Sequence, residues 1–142
     1  MPAISPYLTF PGNCEEAFNF YKAAFGGEFH TIMRFSDNPP EFQGPPSESN
    51  MVMHVALPIG NNTVLLGSDV PEKMGPVNQG NNVSIAVHPG SEAEADRLFN
   101  SLSAGGQVTM PMSKTFWNAY FGMFTDKFGI HWMVNYDYAH PM

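Results

Sequence analysis

The sequence has little positive charge: six lysines and arginines stand against thirteen acids in 142 residues, a formal net charge of −7. Those six cations are scattered, and phosphate neutralisation needs them clustered, so nucleic acid is excluded as a partner and an anionic membrane surface with it. Cysteine is nearly absent. Cys14 stands alone, which rules out an internal disulfide and a thiolate metal cluster. Long apolar runs are missing too, and none approaches the ~20 residues of a membrane span. The opening MPAISPYLTF has neither the basic region nor the apolar stretch of a secretory signal, so a cytoplasmic protein is the expectation. Charged residues make up only 13%, roughly half of the usual quarter.

Aromatic residues are plentiful instead, at 13%, and they gather near the end of the chain in FWNAYFGMFTDKFGIHWMVNY, Phe116 to Tyr136. Two runs, Trp117–Thr125 and Ile130–Tyr136, flank Asp126-Lys127-Phe128-Gly129. Asp caps its own backbone and Gly accepts positive φ, so this spacing predicts a β-hairpin with a tight turn. Its bulk either fills a core or lines a pocket.

The rest of the chain reads as a repeat. Ile4–Phe10 alternates as a strand, Pro11-Gly12 breaks it, and Asn13 stands as the N-cap of a helix with Glu15 and Glu16 in its first turn. Ala17, Phe18, Tyr21, Ala24 and Phe25 recur at helical spacing before Gly26-Gly27 ends the helix. Glu28–Phe35, Met51–Ile59 and Thr63–Ser68 are strands, with a proline-rich, acidic loop at Ser36–Asn50. In the third strand Val52, His54 and Ala56 share one face by alternation. After a polar linker the order recurs: a strand to Val87, a helix opened by Ser91 with Glu94 three residues on, Gly105-Gly106, a strand Gln107–Thr115 whose Pro111 marks an edge or bulge, and the hairpin. The predicted fold is α+β: a single domain, 1–142, of two tandem βαβββ modules, 1–70 and 81–137, joined by a linker at 71–80. Each module has one helix for one face of a four-stranded sheet. The other faces are expected to form a cup when halves or chains pair, and a homodimer is expected. By parity Ser5, Tyr7, Thr9, Asn82, Ser84 and Ala86 look into that cup, while Leu8, Phe10, Val83 and Ile85 pack on helices.

This layout resembles the vicinal oxygen chelate superfamily, which includes glyoxalase I, extradiol dioxygenases and bleomycin-binding proteins. The stretch Ser5-Pro6-Tyr7-Leu8-Thr9-Phe10-Pro11-Gly12-Asn13-Cys14-Glu15-Glu16-Ala17-Phe18, then Leu66-Gly67-Ser68-Asp69 and the hairpin around Phe128-Gly129-Ile130-His131-Trp132-Met133, is similar to the PhnB-like branch. Members of that branch often carry a name implying a ubiquinone-pathway methyltransferase. No Gly-rich strand-to-helix turn for a nucleotide-like cofactor is present here, so that activity is not expected, and standard glyoxalase I activity is not expected either, because the metal ligands it needs are missing. The resemblance implies metal ligands on the first, fourth, fifth and eighth strands. These fall at Ser5, at Leu66 or Gly67, at Asn82 and at Met133, where metal enzymes of the superfamily have Glu. None is a carboxylate or imidazole, so the sequence predicts no metal and no cofactor.

The five histidines sit on separate elements without ligand spacing. His54 lies mid-strand with cup parity and is the candidate proton carrier; His131 shares the parity of Met133. Cys14 lies near a helix N-terminus, where the dipole lowers a thiol pKa, but it has no His beside it and reads as a packed thiol. The candidate ligand-binding set is Tyr7, His54, Trp117, Tyr120, His131, Met133 and Asn135, an aromatic and methionine-lined surface with Tyr7, His54 and Asn135 as polar anchors. Trp132 and Val134 are expected to pack on a helix. The leading reading is binding of a small, partly apolar molecule without a metal. The alternatives are a lyase, isomerase or dioxygenase of the same superfamily with a non-standard metal or none, and a dimeric interaction module with a filled cup.

Overall fold

The computed structural model describes residues 2–60 and 62–139, and the chain divides between Asn78 and Gln79 into two compact units. In the first, Tyr7–Phe10 (β1) leads into the helix Cys14–Phe25 (α1), followed by Thr31–Arg34 (β2), Val52–Ile59 (β3) and Thr63–Asp69 (β4). The sheet order is β1-β4-β3-β2, with β1 parallel to β4 and the other pairs antiparallel. Alternation sends Phe10, Val55, Leu57 and Leu65 to one face, where Ala17, Phe18, Tyr21 and Ala24 of α1 bury them. Gly67 shares that face because the ring of Phe18 occupies the space a side chain would take: a Cβ there would lie 2.5 Å from Phe18 Cε1.

Two expectations change in this unit. Asn13 does not cap α1; its side chain makes no capping hydrogen bond. The carboxylate of Asp69, one residue past the predicted strand Thr63–Ser68, takes that role: its Oδ1 accepts from the backbone N–H of Gly12 at 3.0 Å and of Cys14 at 2.9 Å. Val52 does not share a face with His54 either. The ladder shifts there, Met33 pairing with His54 but Arg34 with Val52, so Met53 is an extra residue and Val52 turns inward. The Ser36–Asn50 stretch is folded: it contributes to short 3₁₀ turns at Phe35–Asp37, Pro40–Phe42 and Pro46–Glu48. Arg34 anchors its far end, donating to the carbonyl of Asn50 at 3.0 Å while pairing with both carboxylate oxygens of Glu15.

In the second unit Ile85–Val87 (β5) precedes the helix Glu92–Ser103 (α2), then come Gln107–Lys114 (β6), Ala119–Thr125 (β7) and His131–Asp137 (β8), in the order β5-β8-β7-β6 with β5 parallel to β8. Ser91 caps α2 as its spacing predicts, its Oγ accepting from Glu94 N at 3.1 Å while Glu94 Oε1 accepts from Gly90 N at 2.8 Å. Leu98, Phe99 and Leu102 pack with Phe124, Trp132 and Val134, and Phe99 meets Phe124 edge-on at 5.1 Å. Val83, expected on the helix side, lies outside β5 and is 73% exposed. This edge strand is paired on one side only, and its ladder with β8 begins at Ile85. Strand β6 is the opposite edge, with register shifts on either side of Met110, next to Pro111. The β7–β8 turn is held by Asp126: its Oδ1 accepts from the N–H of Phe128 and Ile130 and its Oδ2 from Trp132 Nε1 at 2.8 Å, while Gly129 supplies the positive φ of 91°. Each unit is thus a four-stranded mixed sheet with one helix on one face.

Candidate functional site

With a helix on one face of each sheet, chemistry is left to the other. In the first unit the register places Tyr7 beside Leu66 and Thr9 beside Ser68, and sets Ala56 beside Leu66 on the far side. His54 and Met33 form the next cross-strand pair on that face. Tyr7, 48% exposed, reaches across β4, and its hydroxyl stands 3.5 Å from His54 Nδ1, at the outer limit of a hydrogen bond, with ring centroids 5.9 Å apart. Two residues 47 positions apart are therefore brought together as a polar couple on a surface otherwise supplied by Met33, Ala56 and Leu66.

In the second unit the open face carries three cross-strand pairs, Phe121 with Asn135, Met123 with Met133, and Thr125 with His131. Ala86 lies on the other side of Met133. Trp117, 54% exposed, sits in the β6–β7 connection with its ring 6.2 Å from that of Phe121. Asn118, at φ 69°, turns the chain there. At the hairpin end a cavity of about 260 Å³ is lined by Ser84, Thr109, Met123, Thr125 and His131 among others. His131 is fixed on both sides of its ring: Nε2 lies 2.7 Å from the carbonyl of Gly80 and Nδ1 2.9 Å from Thr125 Oγ1. A carbonyl only accepts, so Nε2 carries a proton and donates to Gly80, and in that tautomer Nδ1 accepts a hydrogen bond from the Thr125 hydroxyl.

The sequence candidates thus fall into three places. Tyr7 and His54 meet on the first open face. His131, Met133 and Asn135 line the second, with Trp117 at its end. Tyr120 lies on neither: it alternates with Phe121, and its hydroxyl donates to Asp96 Oδ1 on α2 at 2.6 Å. That hydrogen bond, with partial desolvation and the nearby negative charge, pushes its pKa up to about 12. Thr125, the partner of His131, was missed by sequence reasoning, although strand parity with Phe121 and Met123 carries the signal. His30 and His88 are exposed, and His140 lies outside the described residues. Cys14 is fully buried; burial first, then the negative charges of Asp69 and Glu15, push its thiol well above the usual range, against the lowering expected from the helix dipole.

The positions that would hold a metal do not fit one. Ser5 and Asn82 precede β1 and β5 and are exposed, Gly67 faces α1, and the open-face partners are Tyr7 with Leu66 and Ala86 with Met133. Among the described residues no three His, Cys, Asp or Glu side chains gather in a metal-holding group, and a hard divalent ion needs several such donors. No helix among the described residues is long and apolar enough to cross a membrane.

Residues 2–135 match the 3-demethylubiquinone-9 3-methyltransferase family model. The chain belongs to this family. Among solved structures, this family member is similar to protein PA1353 from Pseudomonas aeruginosa, 42% identical over 96% of this chain and 98% of that one, with a TM-score of 0.84. A putative 3-demethylubiquinone-9 3-methyltransferase, PhnB protein, from Bacillus cereus is 28% identical over 95% and 99%, at a TM-score of 0.73. The fold extends further. A glyoxylase/bleomycin resistance protein/dioxygenase domain from Frankia sp. EAN1pec, 12% identical, superposes with a TM-score of 0.69 over 99% of this chain and 96% of that one. The PhnB-like resemblance and the glyoxalase-like α+β fold both stand.

Proposed function

We propose that this family member binds a small, partly apolar molecule against its open sheet faces, without a metal and as a homodimer. The observation that carries this reading is the Tyr7–His54 couple, a hydroxyl and an imidazole 3.5 Å apart on a face that α1 leaves uncovered. Ligand sites are mostly apolar with a few convergent polar groups. Met33, Ala56 and Leu66 supply the first, and Tyr7 with His54 the second. On the other face Met123, Met133 and Phe121 offer adaptable apolar surface, with Asn135 as the anchor. The family's name brings methyl transfer as a further reading. The site residues favour binding over it, since both helix N-termini are engaged by Asp69 and by Ser91 with Glu94 and present no cradle to a nucleotide-like cofactor.

A thermal-shift and Trp-fluorescence screen against metabolites and antibiotics tests the reading. Hits should lose at least about tenfold in affinity in Tyr7→Phe/His54→Gln, the scale of one or two lost polar contacts. Hits that bind the double variant unchanged, or stoichiometric Zn, Ni, Mn or Fe in the purified protein, would overturn it. The same couple favours a second reading, an enzyme of the lyase, isomerase or dioxygenase type in which His54 moves a proton. Turnover of a hit that His54→Gln abolishes without weakening binding would establish that reading instead.

A further inference from the structure

Away from the open faces, a cavity of about 700 Å³ lies at one end of the first sheet, lined by Gly12, Glu48, Met51, Val70, Glu72 and Val77 among others. Its walls follow from the topology. Pro11 and Gly12 leave β1, Val70 leaves β4 and Met51 enters β3, so three strand ends meet there. The segment before β3 and the segment after β4 close over them. The two are joined directly, Glu48 Oε2 accepting from the backbone N–H of Glu72 at 2.8 Å. Each is also tied to the sheet: Arg34 holds the carbonyl of Asn50, and Val70 N donates to Phe10 O at 2.8 Å. The space is therefore formed in advance, and its size falls in the range of small-molecule sites, about 300–1,000 Å³.

The lining decides the chemistry. Met51, Val70, Val77 and two prolines are apolar, and every ionisable group in it is a carboxylate, Glu48 and Glu72. Arg34 is already paired with Glu15, and Lys73 is not part of the lining. The start of α1 adjoins the cavity at Gly12, but the N–H groups of Gly12 and Cys14 are consumed by Asp69, so that helix end presents them to no anion. A carboxylate keeps lone pairs for a cation while it accepts one N–H, and the two carboxylates share one cavity with the apolar side chains. We propose that this cavity is a binding site for a small organic amine, with the ammonium group held between Glu48 and Glu72 and the apolar body against Met51, Val70 and Val77. It shares no lining residue with the Tyr7–His54 face and is independent of the ligand proposed there.

Calorimetry on the full chain tests this with phenethylammonium, 2-phenylethanol and phenylacetate, which match in apolar body and differ in charge. The expected result is saturable binding of the ammonium compound at least tenfold tighter than the alcohol, with phenylacetate weakest. Glu48→Gln/Glu72→Gln should lower the ammonium affinity at least tenfold and bring it level with the alcohol. Val77→Trp, which fills the cavity, should abolish binding while the melting temperature stays within a few degrees. Absence of saturable binding to the wild-type chain, equal affinity for the three compounds, or unchanged binding in either variant would overturn the proposal. Should the Trp variant fail to fold, the Gln pair decides the matter by itself.

Discussion

Asp69 and Cys14, 55 residues apart, meet where the carboxylate at the end of β4 accepts the backbone N–H of the first residue of α1 at 2.9 Å. The same carboxylate accepts from Gly12 N at 3.0 Å and, through Oδ2, from Val52 N at 2.8 Å, at the start of β3. One buried side chain thus ties the parallel β1–β4 crossover, the helix it leads into and the third strand. Asp69→Ala leaves these donors without an acceptor, and each buried unpaired donor costs about 1–3 kcal/mol. The expected loss is roughly 3 kcal/mol or more in urea unfolding. Asp69→Asn, which keeps one acceptor oxygen, should lose less. Equal stability of the Ala variant and the wild type would show that water replaces the carboxylate.

Cys14 inherits an environment from this contact. Its thiol is fully buried, and burial together with the charges of Asp69 and Glu15 disfavours the thiolate. Since the thiolate is the nucleophile, native protein should resist alkylation by iodoacetamide at mildly alkaline pH. Modification is expected at least about a hundredfold more slowly than in urea-unfolded chain, because both thiolate formation and exposure must wait for opening. Comparable rates in the two states would contradict this burial.

Gly67 and Leu66 separate the two faces of the first sheet. A Cβ on Gly67 would lie 2.5 Å and 2.8 Å from the Phe18 ring and 2.9 Å from the carbonyl oxygen of Leu8, a backbone atom that cannot swing aside. Gly67→Ala should therefore cost about 1–3 kcal/mol, the usual range for overpacking. Leu66→Ala, on the open face, should cost less than Gly67→Ala in the same unfolding assay. The reverse ranking would mean that α1 sits farther from the sheet.

Local alternation and local capping were legible in the residues; tertiary substitutions were not. Trp132 and Val134 against His131, Met133 and Asn135 follow directly from strand parity, which also turns Tyr7 and His54 away from α1; that the two meet depends on the order β1-β4-β3, which parity does not give. The Ser91–Glu94 cap is local and is found by spacing alone. Asp69 is invisible as a cap because its partners lie on the far side of three elements. Simple alternation puts Val52 on the face of His54, and one extra residue at Met53 inverts it. Composition groups Tyr120 with the pocket aromatics, although its alternation with Phe121 separates the two. Val83 failed for a different reason: an apolar residue beyond the paired part of an edge strand has nothing to pack on.

Tyr120 gives a pH-dependent test of its placement against α2. Its hydrogen bond to Asp96, then desolvation and the charges of Asp96 and Glu92, raise its pKa from 10.0 to about 12. The proton is thus held more tightly in the folded state than in the unfolded state. A raised folded value contributes stability that is complete below the unfolded value of 10.0 and fades as pH climbs through about 12. The pair is solvent-screened, so the contribution is expected to stay under about 1 kcal/mol. Tyr120→Phe should accordingly be slightly less stable than wild type at pH 7 to 9, about the ordinary range below tyrosine ionisation, and the gap should close on the alkaline side. Tyr138, bonded to Glu92 at 2.6 Å and also raised to about 12, mainly by desolvation, remains in that variant. In a tyrosinate absorbance titration the late-ionising component should therefore shrink without vanishing. A late component of unchanged amplitude would place the Tyr120 hydroxyl in solvent and away from Asp96, and its strand would then face α2 with a different register.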